Sequence, residues 1–145
     1  MKLKALVLAM FVLFAGAACA GAAEVAVTSI GQSSDGMMVR VILKSLKIPA
    51  DFDAVMKPEA LKAQKVLIAV VGGSSKGLGA AGINKEDEVK RSLELCKAAE
   101  KKGMKILMMH IGGEGRRGTL SDFFITSAIP KGDALILVDG ANKDK

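Results

Sequence analysis

A three-layer α-β-α sandwich with a mostly parallel sheet of about four strands is the fold this chain predicts, and three observations carry the prediction. Two nearly continuous apolar runs, Val66 to Val71 and Ile106 to Ile111, are rich in branched residues, as expected of strands buried on both faces. Helical patterns separate the apolar runs, and an alternating β-α order closes into a parallel sheet through right-handed crossovers. Three of the runs lead directly into glycine-rich polar loops; in an open α/β sheet such loops gather at the carboxyl edge, where ligands bind.

Val25 to Ile30 reads as the first strand. Asp35 to Leu46 follows as a helix with Met38, Val41, Ile42 and Leu46 on its inner side, and Pro49 and Pro58 bracket a variable connection. Beyond Val66 to Val71, a helix from about Lys85 to Lys102 has Asn84 as its N-cap and Gly103 as its stop. A short helix from Ser121 to Ala128 ends before Pro130, and Ala134 to Val138 supplies a fourth strand. A flavodoxin-like strand order is the first expectation and a Rossmann-like order the second. Seven residues follow Val138 with no helix to close the last unit, the pattern of an unusually small domain or of a truncated copy of a longer one.

The first 23 residues read as a signal peptide and residues 24–145 as a single α/β domain. Met1 to Lys4 is a basic start, Ala5 to Phe14 an apolar stretch and Ala15 to Ala23 a small-residue zone, the three parts of a secretory leader. The apolar stretch is shorter than the 20 or so residues of a membrane span. Cleavage is expected after Ala20, Ala22 or Ala23, which makes the protein exported, periplasmic or extracellular. Cys19 offers lipid anchoring as the minority alternative. Removal of the leader leaves Cys96 alone, so no internal disulfide can form, and its place on a helical apolar stripe makes it a core thiol.

Without Lys2 and Lys4 the formal charge falls from +6 to +4. That mild excess suits a small anionic partner, although a solvated lysine-rich face accounts for most of it. Phe52, Phe123 and Phe124 are the aromatics left, with no Tyr or Trp, so a stacking platform for nucleic acid is not expected. No residue specifies a membrane transport partner.

The candidate site is built from the three loops. The first offers Gln32, Ser33 and Ser34; the second offers Gly73, Ser74, Ser75, Lys76 and Gly77; the third offers Gly113, Arg116 and Arg117. Glycine-rich backbone can present converging N–H groups, while hydroxyls, an ammonium and an arginine fork supply donors for phosphate or carboxylate. Of the adjacent arginines, one is expected to face the pocket and the other to pair with Asp122 or Glu114 or be solvated.

Two motif readings fail on context. Gly77-Leu78-Gly79-Ala80-Ala81-Gly82 matches G-x-G-x-x-G, but it does not open the first strand-helix unit, and the following strand ends in His110 rather than an acid. The phosphate-binding P-loop is excluded because Lys76 precedes Gly77. No cofactor is expected, and a single histidine with scattered carboxylates gives no metal-ligand spacing.

The chain is therefore expected to be an extracytoplasmic binding protein for an anionic, phosphate- or carboxylate-bearing metabolite. The alternative is a hydrolase or transferase on a phosphoryl or acyl compound, with His110 as acid or base, Glu114 orienting it and Ser74 as nucleophile.

The combination of Gly31-Gln32-Ser33, Gly72 to Gly82, Glu88 to Arg91, and His110-Ile111-Gly112-Gly113-Glu114 through Arg116-Arg117-Gly118 with Ser121-Asp122 resembles an uncharacterised family of exported bacterial proteins, a domain of unknown function. The resemblance covers most of residues 25 to 142. It implies export and an α/β fold, brings no activity or catalytic residue, and implies members that continue past Asp139-Gly140-Ala141-Asn142.

Overall fold

The computed structural model describes residues 23–142. The leader expected over residues 1–23, including Cys19, lies outside the described residues apart from Ala23. One all-parallel sheet of five strands runs in the order β2-β1-β3-β4-β5, with β1 at Val25–Ile30, β2 at Ala50–Phe52, β3 at Val66–Val71, β4 at Lys105–His110 and β5 at Ala134–Leu137. This is the flavodoxin-like order.

The expected four strands become five. Strand β2 is only three residues long and follows Pro49; its pairing with β1, Val25 opposite Ala50 through Val27 opposite Phe52, defines it. A segment this short has no period of its own to read.

Among the described residues four α-helices complete the layers: α1 at Asp35–Ser45, α2 at Ser75–Ala81, α3 at Lys85–Lys101 and α4 at Thr119–Ala128. Helix α1 packs on one face through Val39, over Val27, Ile68 and Val70. Helices α2, α3 and α4 bury Leu78, Leu95, Cys96, Ala99, Phe124 and Ala128 on the other, against Ile30, Leu67, Val71 and Met108. Strand β3, flanked on both edges and covered on both faces, is the centre of the core. Asn84 caps α3 as expected, its side chain accepting from the Asp87 N–H.

Two expectations are corrected. Met38, Val41, Ile42 and Leu46 do not face the sheet; they are 47–61% exposed, while Val39 is buried. The helix is apolar nearly all round, so periodicity alone admits more than one inner face. The segment expected to be loop up to Gly82 contains α2, which Leu78 anchors in the core. Ser74 caps it by accepting from the Gly77 N–H at 3.0 Å, and Gly82 ends it in the left-handed conformation at φ +66°.

Candidate functional site

The chain leaves β1 towards β2 on one side, then returns past β1 to lay β3 on the other. The crevice between the carboxyl ends of β1 and β3 is the topological switch point of such a sheet. The three sequence-predicted loops do meet there, and backbone contacts hold the first two together. Ser33 N–H donates to Gly72 O at 3.1 Å, Gly72 N–H to Ile30 O at 2.8 Å and Ser74 N–H to Gly31 O at 2.9 Å.

These contacts reassign most of the glycines. A Cβ on Gly77 would sit 1.9 Å from Gln32 O, and one on Gly73 would sit 2.8 Å from the Leu120 and Ser121 backbone. The Gly73 N–H donates to Ser121 Oγ, and Ser74 Oγ is taken by the helix cap. Gly73, Ser74 and Gly77 thus serve close packing of loop on loop. Ser75 and Lys76 remain exposed on the first turn of α2.

A buried ion pair anchors the first loop. Glu88, fully buried, accepts through Oε1 from the Gly31 N–H at 3.0 Å and from Gln32 Nε2 at 2.9 Å, and both its oxygens accept from Arg91 at 2.8 Å. Arg91 also donates to Ser29 O and Met56 O. Gln32 holds φ at 60°, and its side-chain nitrogen is fully engaged, donating to Ala54 O as well. Sequence reasoning named Glu88 to Arg91 only among the residues that carry the family resemblance and gave the pair no role, because a charge on a helix gives no sign of its burial. The available signal was spacing: Glu88, Ser92, Leu95 and Ala99 share one helical stripe.

Asp35 is the second group that sequence reasoning missed. Its carboxylate is buried at the start of α1, accepts from Ser33 Oγ at 3.1 Å, and approaches Arg116 Nη2 at 3.9 Å. Arg116 reaches it by lying over Gly112, where a Cβ would meet the arginine stem at 2.4 Å. Helix α1 has no side-chain cap: Ser34 occupies the N-cap position without a capping hydrogen bond. The positive end of the helix is partly offset by Asp35 in its first turn, and the Met37 N–H already donates to Ser34 O at 3.1 Å.

Of the two adjacent arginines, Arg117 is the one that pairs with Asp122. Arg116, half exposed, leans over the crevice. Arg117 donates to Asp122 Oδ1 at 2.6 Å and to Ala141 O at 3.0 Å, fastening residues 139–142 to the start of α4. Glu114 and Gly113 lie on the turn that carries Arg116.

His110 ends β4 but is only 1% exposed. Its Nδ1 lies 2.8 Å from Val71 O, which makes that nitrogen the N–H donor, and its Nε2 has no partner among the described residues. Neither Glu114 nor Ser74 is hydrogen-bonded to it. Among the described residues no group of three or more His, Cys, Asp or Glu side chains could hold a metal ion. A cavity of about 500 Å³ lined by Leu93, Cys96, Lys97, Ile106, Pro130 and Lys131 lies towards the amino edge of the sheet, away from the loops. Burial pushes the Cys96 thiol up to about 11, against smaller opposing effects of Arg91 and Lys131.

Fold and crevice together define a flavodoxin-ordered α/β domain whose β1–β3 switch point carries an uncapped helix start and an overhanging arginine. The chain belongs to the family described as domain of unknown function DUF6305, whose model matches residues 22–145. No curated protein and no solved structure matches it.

Proposed function

We propose that this is an exported binding protein for a small anion bearing a phosphate or carboxylate, held at the β1–β3 switch point. One observation carries the reading: the eleven-residue helix α1 starts there without a side-chain cap, and Arg116 hangs over the same spot with a 3.9 Å approach to Asp35 as its ionic contact. An anion accepting from the helix start and from Arg116 gains charge-assisted hydrogen bonds in both. Ser33 and Ser34 flank the position, and Lys76 adds long-range attraction from α2. Asp35 orients Arg116 and is partly neutralised by it.

Binding is favoured over turnover because the one histidine is inaccessible and the candidate nucleophile is engaged in a helix cap. His110 is buried beneath the loops, and the Ser74 hydroxyl caps α2. Export rests on the three-part leader, and the intact mass of the native protein tests it: a chain that starts between Gly21 and Glu24 supports it, and one that retains Met1 does not.

A thermal-shift screen of phosphate- and carboxylate-bearing metabolites, followed by calorimetry on hits, tests the ligand class. Arg116→Ala is expected to weaken a hit by about 1.5–3 kcal/mol, roughly ten- to a hundredfold. Equal affinity in Arg116→Ala would reject the site.

A further inference from the structure

Asp35 is buried like Glu88 but is far less satisfied. An ionised carboxyl offers about four acceptor positions. Glu88 fills them with one hydrogen bond from the Gly31 N–H, one from Gln32 and two from Arg91. Asp35 is 3% exposed, yet among the described residues it accepts a single hydrogen bond, from Ser33 Oγ to Oδ2 at 3.1 Å. Its Oδ1 accepts none, because Arg116 Nη2 at 3.9 Å is beyond hydrogen-bond reach. Nor is Oδ1 sealed in the core: the buried side-chain atom without a partner among the described residues is His110 Nε2. Oδ1 opens on the crevice.

The carboxylate stands where the three loops meet. Ser33 belongs to the first; a Cβ on Gly72 of the second would lie 3.4 Å from Oδ2, and one on Gly112 of the third 3.1 Å. Beside it, the Asp35 and Gly36 N–H groups at the start of α1 have no acceptor among the described residues. An unfilled acceptor and unfilled donors therefore share one space. A fully ionised anion drawn to those donors and to Arg116 brings its own charge against Asp35, and in a partly buried site salt does little to screen that repulsion. An anion that still carries a proton turns the same contact into a short, charge-assisted O–H···O⁻ hydrogen bond.

We infer that Asp35 sets the specificity of the anion site, which selects a protonated oxyanion, hydrogen phosphate, over a fully ionised one such as sulfate. The inference rests on the anion site proposed above and adds the chemical form of its ligand. Phosphate oxygens accept from the start of α1 and from Arg116, while the phosphate hydroxyl donates to Asp35 Oδ1. Ser33, by donating to Oδ2, fixes the carboxylate with Oδ1 towards the crevice. Glu88, with its acceptor positions filled, has no such role.

At mildly alkaline pH inorganic phosphate is chiefly a dianion with one proton, and sulfate is a dianion of the same shape with none. Separate titrations of the full chain with the two at matched ionic strength, read at the Gly36 and Gly112 amide resonances, isolate the proton. Wild-type protein should bind phosphate about ten- to a hundredfold more tightly than sulfate. Asp35→Asn, which keeps the shape and offers an NH₂ in place of an acceptor oxygen, should bring the two affinities within about threefold, mainly by strengthening sulfate; circular dichroism checks its fold, and the wild-type comparison stands without it. Equal wild-type affinities would overturn the inference and leave the anion site standing. No shift with either anion would overturn both, and a preference for phosphate that survives in folded Asp35→Asn would take the discrimination away from Asp35.

Discussion

Glu88→Gln is the most informative single substitution outside the crevice. The wild-type carboxylate accepts four hydrogen bonds, one from Gly31 N–H, one from Gln32 and two from Arg91, in a site where Glu88 is 0% and Arg91 8% exposed. The amide keeps the shape and one acceptor oxygen, but it turns an NH₂ towards either Arg91 or the Gly31 amide and leaves the guanidinium without its counter-charge. Breaking a buried pair from one side costs about 3–5 kcal/mol, a large share of the 5–15 kcal/mol that a domain of this size holds. A fall in Tm of roughly 10–20 °C is expected from the usual dependence of Tm on stability, with urea unfolding giving the same loss. The double variant Glu88→Leu with Arg91→Met removes both charges but leaves the Gly31 N–H and the Ser29 and Met56 carbonyls without these partners, so it should recover only part of the loss. A Glu88→Gln protein within about 1 kcal/mol of wild type would show that the pair is not the anchor of the first loop.

Two further predictions separate packing from conformation and burial from reactivity. Gly77→Ala should destabilise by about 1–3 kcal/mol, because its Cβ would meet Gln32 O at 1.9 Å, whereas Gly79→Ala, with nothing within 4 Å, should stabilise by about 0.5–1 kcal/mol through helix propensity; chemical denaturation of both checks this. Cys96, with its thiol at about 11 in the folded state against 9.0 in the unfolded, should resist thiol reagents at pH 8 until the chain unfolds. Because the unfolded chain releases the thiol proton first, stability should fall between about pH 9 and 11, and Cys96→Val should lack that component.

The parallel sheet was legible because β1, β3 and β4 are long apolar runs separated by helical periods; the strand order was not, since those runs leave flavodoxin-like and Rossmann-like orders both open until β2 is placed beside β1. Strand β2 was not, since three residues acquire strand character only by pairing with β1. Helix α2 was obscured by Gly77 and Gly79, which propensity counts against a helix; the Ser74 cap and the burial of Leu78 outweigh them. The inner face of α1 was ambiguous because Met38, Val41 and Ile42 are as apolar as Val39. At the site, the convergence of three loops was readable; which of Arg116 and Arg117 pairs with Asp122 was not. The packing role of Gly73 and Gly77 was not, because a glycine needed for close approach to another loop looks the same in sequence as one needed for a ligand. The buried roles of Asp35 and Glu88 were not readable for a related reason: sequence assigns charge to the surface until a partner buried with it is known.

The central claim is that an anion sits at the start of α1 beneath Arg116. Amide chemical shifts followed during titration with inorganic phosphate and with succinate test it residue by residue, up to about 10 mM, where affinities near 1 mM register. Shifts confined to Ser33 through Gly36 and Gly112 through Arg116, and abolished in Arg116→Ala but retained in Arg117→Lys, are the expected result. No shift there with either anion, or shifts centred instead on the Lys97 and Lys131 cavity, would contradict the account.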